Sequence, residues 1–370
     1  MYSNTEKIVK TIESQNSNTP INKGNCSLDT EEREKLFRKK LAYGWEESYA
    51  EYRNLWIELA KKREVRNYPL LVDLELSSKC NLRCPMCYTT TDEFLEKVAL
   101  KFMDINLFKK IILEISGKVP AIRVSLRGES TLHKEFIEAI KFAKINGIME
   151  ISTLTHGKKL SGEYLKNLVD AGIDWITVSV DGMNEDYNRI RYPLKWEDTI
   201  NRLKEIKELK DKLNLKKPVI KVQAVWPSIR NYPTEFYEAL LPYTDLVAFN
   251  PLLDYLRNDV EIDYIDNFSC PQLYQRLVVG SDGNVLMCSM DDDGERLIGN
   301  ANFQSIHEIW HGKLMNDVRN IHAKKDGFKE IDVCRKCHIP RQIDRNEIAQ
   351  VGNRKIIIEN YKNRAQEVGE

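Results

Sequence analysis

Three cysteines packed into the stretch Cys80-Asn81-Leu82-Arg83-Cys84-Pro85-Met86-Cys87 carry the densest potential chemistry in the chain. Thiolates are soft ligands, suited to zinc and to iron–sulfur clusters. A four-iron, four-sulfur (4Fe–4S) cluster ordinarily takes four cysteines. The Cys-x3-Cys-x2-Cys spacing therefore leaves one iron without a protein ligand, free to bind and reduce a small molecule. The competing readings are a structural zinc knuckle or half of a ferredoxin-type site. Zinc motifs come as paired Cys-x2-Cys units, and the next Cys or His after Cys87 is His133, which favours the open cluster.

A second group, Cys270, Cys288 and the close pair Cys334-x2-Cys337, supplies four thiolates from two segments. Four cysteines close a site around either zinc or a 4Fe–4S cluster. Clustered spacings in a chain without a signal-peptide core point to metal binding rather than disulfides. Cys26 stands alone in a polar segment and is given no role.

The elements that must position these groups follow from periodicity. Short apolar, mostly β-branched runs at 71–76, 122–126, 149–154, 175–180, 219–225 and 246–249 read as strands. Amphipathic stretches near 104–117, 133–146, 161–171, 195–213 and 233–241 separate them. Six strands alternating with helices predict an α/β fold with a parallel sheet, chemistry gathering at the strands' carboxyl ends. The Cys80 loop follows the first strand. After later strands come Leu126-Arg127-Gly128-Glu129-Ser130, Ser152-Thr153-Leu154-Thr155-His156-Gly157 and Ser179-Val180-Asp181-Gly182, the last trailed by Asn188-Arg189-Ile190-Arg191. Gln223 and Asn250, ending strands five and six, are candidate pocket residues. Residues 30–67 predict one or two helices ahead of the main domain, and 277–288 a hairpin turning at Ser281-Asp282-Gly283-Asn284.

Taken together, these stretches resemble the radical S-adenosylmethionine (SAM) enzymes. The resemblance implies an open, partial (β/α)6 TIM-like barrel. In it the unique iron chelates SAM and, once reduced, cleaves it to a 5′-deoxyadenosyl radical that abstracts a substrate hydrogen. It implies SAM contacts at Gly128, Glu129, Ser152, Ser179 and Asp181, with Arg189 or Arg191 offering a planar guanidinium to the SAM carboxylate. Arg127 and Ser130 depart from the usual Gly-Gly-Glu-Pro pattern, and His156 replaces the usual Asn; an isolated His in such a turn reads as structural. The hairpin with Gly283 ahead of Cys288, then Leu297-Ile298-Gly299-Asn300 and Ile309-Trp310, is similar to the SPASM extension. The cysteine ladder stops at Cys337, which implies the shorter twitch form: one auxiliary 4Fe–4S cluster on Cys270, Cys288, Cys334 and Cys337.

Four segments are expected: 1–67, a flexible start plus helical extension; 68–255, the barrel; 256–345, the SPASM/twitch domain; and 346–370, a C-terminal tail. Lys+Arg and Asp+Glu are equal at 56 each, so no global field points to nucleic acid or an anionic membrane. With no apolar run long enough to span a bilayer, a cytoplasmic location is expected. The leading expectation is an oxidoreductase acting on a small polar, carbohydrate-like substrate, supplied with electrons by a flavodoxin or ferredoxin. The alternatives are a peptide- or protein-modifying maturase, a redox-neutral epimerase, and a non-enzymatic zinc-binding module.

Overall fold

The computed structural model describes residues 26–252, 262–362 and 368. Residues 1–25, within the expected flexible start, fall outside the described residues, as do the 255/256 boundary and the extreme C-terminus.

All six apolar runs are strands. β1 (Cys26–Ser27) precedes two helices, α1 (Glu31–Ala42) and α2 (Glu46–Lys62); β2 (Leu71–Leu74), β3 (Ala121–Arg123), β4 (Glu150–Thr155), β5 (Trp175–Ser179), β6 (Val219–Val225) and β7 (Leu246–Asn250) follow. Neighbours from β2 to β7 pair in parallel and in sequence order. β2 and β7 do not pair with each other, so the barrel stays open. Val72, Ile122, Ile151, Ile176, Ile220 and Val247 alternate onto one face, are fully buried and meet the connecting helices. Of these, α3 (Asp92–Lys97) and α4 (Ile105–Ile115) lead to α5 (Phe136–Ile145) and α6 (Gly162–Asp170), then α7 (Asn184–Ile190), α8 (Trp196–Lys212) and α9 (Pro233–Leu240). The opposite register, Asp73, Arg123, Ser152, Thr177, Lys221 and Gln223, faces inward.

The helical extension closes the barrel's lower end. Thr30 caps α1 by accepting the Arg33 N–H at 3.3 Å, with Glu31, Glu32 and Glu34 in its first turn; both features complement the helix dipole. Phe37 and Leu41 then pack on Val219, Leu246 and Ala248. Asp29, buried, accepts from Val247 N–H at 2.6 Å and Tyr237 Oη–H at 3.0 Å, which pins the extension to β7.

The chain beyond β7 continues the same sheet. β8 (Arg276–Val279), after the short α10 (Gln272–Gln275), runs parallel to β2; β9 (Asn284–Leu286) and β10 (Leu297–Asn300) add antiparallel, making ten strands with β1. The expected hairpin is thus β8–β9, and Gly283 adopts φ +85° at its turn, a conformation that favours glycine. Helices α11 (Ile306–Trp310), α12 (Lys313–Ala323) and α13 (Asp332–Lys336) complete this part.

Residues 346–370, expected as a tail, belong largely to a separate hairpin, β11 (Ile343–Val351) with β12 (Arg354–Tyr361). Trp226 Nε1–H donates to Glu347 at 2.7 Å, and Arg354 donates to the carbonyls of Leu28 and Asp29 at 2.6 Å each. These tertiary partners hold a segment whose own polar, mixed texture gives little strand signal. The short helices α3 and α7 each span too few residues to give a periodic pattern in the sequence. No helix among the described residues is long and apolar enough to cross a membrane.

Candidate metal centres and cofactor site

The loop leaving β2 carries Cys80 exposed, Cys84 buried and Cys87 half-buried. Cys80 Sγ accepts the Leu82 N–H at 3.4 Å, and Arg191 Nη1 lies 3.6 Å from Cys84 Sγ. N–H groups aimed at sulfur favour thiolates, the ligating form. Burial pushes the Cys84 thiol up, opposed by the Arg191 charge; a cationic metal centre would remove that penalty.

Gly128 and Glu129 press against the start of this loop. A β-carbon on Gly128 would stand 2.5 Å from the Lys79 carbonyl oxygen, so the close approach requires glycine. The Glu129 carboxylate is buried and engaged on both oxygens. Oε1 accepts from Thr131 Oγ1 at 2.5 Å and Thr155 Oγ1 at 2.7 Å; Oε2 accepts the His156 N–H at 2.9 Å. His156 Nδ1 accepts the Lys158 N–H at 3.1 Å. In the neutral ring the proton then sits on Nε2, which donates to Asn81 Oδ1 at 2.8 Å inside the cysteine loop. Burial lowers the His156 pKa, keeping the ring neutral. His156 thereby holds the cysteine loop, and Asn81 is a partner that sequence reasoning missed.

Arg127 turns away from the loop. Its guanidinium makes a two-pronged pair with the fully buried Glu75, at 2.7 and 2.6 Å, and donates to the Asp292 carbonyl at 3.1 Å. Glu75 also accepts the Ser281 N–H at 2.9 Å, so this pair ties β2 and β3 to the β8–β9 turn. Nothing in the local sequence marked Glu75.

The other expected SAM contacts divide. Ser152 and half-buried Ser179 lie on the inner face, though the Ser152 hydroxyl donates to the Ile122 carbonyl at 3.3 Å. Arg191 grips Asp181 through Nε at 2.8 Å and through Nη2, while the other Asp181 oxygen accepts the Val225 N–H at 2.7 Å. Arg189 is not brought to the site. It lies on the solvent side of α7, its exposed side chain paired with Asp186 at 3.4 Å, because two positions along a helix turn it away from Arg191. Gln223 and Asn250 are half-buried at the ends of β6 and β7.

Cys270, Cys288, Cys334 and Cys337 line one small cavity, walled by Leu273, Met287 and Val333. Burial first, then the neighbouring thiols, pushes Cys270 up to about 12, with Cys288 and Cys334 also raised. A tetrahedral zinc with bonds of about 2.3 Å would hold its sulfurs ~3.8 Å apart. Among the described residues, the trio of ligating atoms that falls within 4.8 Å is Glu93, Asp293 and Glu295, not any three cysteines. Wider spacing around an apolar cavity fits a cluster. His322, buried on α12, reaches this cavity with Nδ1 on the Cys270 N–H at 3.3 Å and Nε2 3.4 Å from Cys334 Sγ; burial drops its pKa to about 4.

Charged groups line the inner face of the barrel. Arg276 pairs with buried Asp73 at 3.1 Å and reaches Ser289, beside Cys288, at 3.4 Å. Half-exposed Arg123 stands near Asp73, at 3.9 Å. Burial pushes Lys221 down and Glu150 up, each to about 7.

Comparison with known proteins agrees with this geometry. Residues 74–220 match the Radical SAM superfamily and residues 270–338 an iron–sulfur cluster-binding domain, SPASM. A tungsten-containing aldehyde ferredoxin oxidoreductase cofactor-modifying protein of Pyrococcus furiosus is 30% identical over 41% of this chain and 42% of its own. The 7,8-dihydro-6-hydroxymethylpterin dimethyltransferase of Methanocaldococcus jannaschii is 30% identical over 31% of this chain and 23% of its own. The chain thus spans less than half the length of these relatives. In fold it is similar to BtrN in complex with AdoMet and 2-DOIA (18% identity, TM-score 0.51, covering 73% of this chain and 92% of that one). It is likewise similar to anSMEcpe with bound AdoMet (17% identity, TM-score 0.52, 78% and 92%). These domains imply a SAM-binding 4Fe–4S cluster, auxiliary iron–sulfur chemistry and SAM as cofactors. The chain is a radical SAM protein, with its SAM-cluster domain at residues 74–220 and a SPASM domain at residues 270–338.

Proposed function

We propose that this protein oxidises a small polar molecule, carbohydrate-like in its hydroxyl content. Cys80, Cys84 and Cys87 hold the SAM-binding cluster in this reading, and Cys270, Cys288, Cys334 and Cys337 hold one auxiliary cluster. When bound, the first supplies a hydrogen-abstracting radical from SAM and the second an electron acceptor beside it. The chain's own groups do the rest. Gly128 and Glu129 set the height of the cysteine loop; Ser152, Ser179 and the Asp181–Arg191 pair line the cofactor side.

The observation that carries this reading is the polar inner face of the barrel. Asp73, Arg123, Lys221 and Arg276 project there from β2, β3, β6 and β8, a lining suited to hydroxyls and charged groups rather than to an apolar ligand. Among the described residues, the extension ahead of the barrel is helical after the two-residue β1, occupies the barrel's lower end and adds no separate strand layer to clamp a peptide. BtrN, similar in fold, is described with 2-DOIA; that name supports a small-molecule substrate here only by analogy of fold.

Anaerobic reconstitution tests the reading. The expected load is about eight irons per chain, from two clusters of four, with 5′-deoxyadenosine formed on reduction in the presence of SAM. Deuterium should pass into 5′-deoxyadenosine from carbon-deuterated polyols or sugar derivatives. Label arriving from peptides alone would replace this reading with peptide modification, and a colourless zinc protein would end it.

A further inference from the structure

The last turn of α12 places a nitrogen donor against one auxiliary-site sulfur. His322 is 1% exposed, and both of its ring nitrogens meet the cysteine cavity. Nδ1 accepts the Cys270 backbone N–H at 3.3 Å. A backbone N–H can only donate, so Nδ1 carries no proton, and the neutral ring bears its hydrogen on Nε2. That Nε2 lies 3.4 Å from Cys334 Sγ, which leaves the sulfur as acceptor. The tautomer is therefore set by the main chain of one cysteine and read by the side chain of another.

The ring is held in place by its helix. One turn earlier, Arg319 donates to the Leu273 carbonyl at 3.0 Å and the Trp310 carbonyl at 2.7 Å, while its guanidinium stacks 4.2 Å from the Trp310 ring centre. These contacts dock α12 onto α10 and α11, and rotation of His322 away from Cys334 would break its bond to Cys270.

We propose that His322 is a positioning residue of the auxiliary site: it donates an N–H···S hydrogen bond to Cys334, without ligating metal, and raises the reduction potential of the cluster held there. Reduction adds negative charge to a cluster and its sulfurs, and a donor aimed at sulfur stabilises the more negative state. The surrounding Leu273, Met287 and Val333 offer little other polarity, so one donor has large leverage in this low-dielectric cavity. The cluster becomes an easier electron acceptor, the direction a substrate oxidation requires. This proposal rests on the assignment of Cys270, Cys288, Cys334 and Cys337 as cluster ligands.

The test is an EPR-monitored redox titration of the fully reconstituted protein, wild type against His322→Leu and His322→Gln. His322→Leu should lower the auxiliary potential; His322→Gln, which can present an amide N–H, should recover part of the shift; the SAM-cluster potential should stay unchanged in both. An unchanged auxiliary potential in an iron-replete His322→Leu would overturn the proposal. Should that variant fail to load, wild-type protein labelled with 15N-histidine decides. A weak 15N coupling to the reduced auxiliary cluster is expected, whereas no coupling, or the strong coupling of a bound imidazole, refutes it. Iron content of Cys334→Ala separates the underlying assignment: full retention would show that Cys334 is not a ligand, and would remove the basis of both.

Discussion

Gly128 and Lys79 approach so closely that the main chain of one leaves no room for a side chain on the other. A β-carbon at 128 would lie 2.5 Å from both the Lys79 oxygen and the Ser78 carbonyl carbon, and the next residue, Glu129, donates its N–H to the same Lys79 oxygen at 2.8 Å. The β3 loop is thereby the bed on which the cysteine loop rests.

Gly128→Ala should therefore displace residues 77–80 rather than pack beside them. Backbone cannot yield as a flexible side chain can, so the cost is set at about 3 kcal/mol, the upper end for overpacking. The expected result is loss of the Cys80–Cys87 cluster, about four irons per chain, with the auxiliary cluster retained. Iron and sulfide counts after anaerobic reconstitution check this; an unchanged load would show that the loop has slack.

The buried Arg127–Glu75 pair gives a second expectation. Arg127→Ala would leave the Glu75 carboxylate buried with only the backbone N–H groups of Ser281 and residue 127 as donors. Stranding a charge in this way costs roughly 3–5 kcal/mol. Arg127→Lys should recover only part, since an ammonium cannot make the two-pronged contact. Chemical denaturation of reconstituted protein checks the ranking wild type, Lys, Ala; equal midpoints would contradict it.

The cofactor ligands and the barrel strands were legible because their signals are local. Cysteine spacing lies within one loop, and each parallel strand, buried on its helix-facing side, reads as an apolar run. Glu75, Asn81 and His322 left no such trace: their roles arise only when β2 meets β8, or when α12 brings His322 over Cys270. A buried carboxylate inside an apolar strand looks like an interruption until its arginine, 52 positions later, is in place. The hairpin at Ile343–Tyr361 was missed for the same reason, since Trp226 and the Leu28–Asp29 carbonyls supply its hold. Arg189 and Arg191 looked equivalent in sequence, and helix geometry separated them.

That separation is testable by paired substitution. Arg189 is solvent-exposed on α7 and its pair with Asp186 is of the kind worth 0–1 kcal/mol, so Arg189→Ala should change stability by no more than about 0.5 kcal/mol and leave the iron load intact. Arg191→Ala strips buried Asp181 of its guanidinium and Cys84 of a donor. A loss of roughly 3 kcal/mol, together with weaker SAM binding measured by equilibrium dialysis, is expected. Equal effects of the two substitutions would show that Arg191 is no more engaged than Arg189.

Glu150 makes the lower end of the barrel pH-sensitive. Burial, set against the Arg53 charge on α2 and assisted by Asp174, pushes its pKa from 4.5 to about 7; Lys217 and Arg123 oppose the rise. A carboxyl with a raised folded value stays protonated in the fold while the unfolded chain ionises. Its contribution is therefore fully present below pH 4.5 and lost as pH rises through about 7. Between pH 6 and pH 8.5 the remaining loss is about 1.5 kcal/mol, from the shift in proton affinity. Glu150→Gln removes this titration, so the variant should gain on wild type as pH rises across that window. Thermal melts of both proteins at pH 6, 7 and 8.5 measure the gap. A gap that stays constant or narrows with rising pH would mean that Glu150 is ionised in the fold, held by Arg53 more firmly than burial opposes.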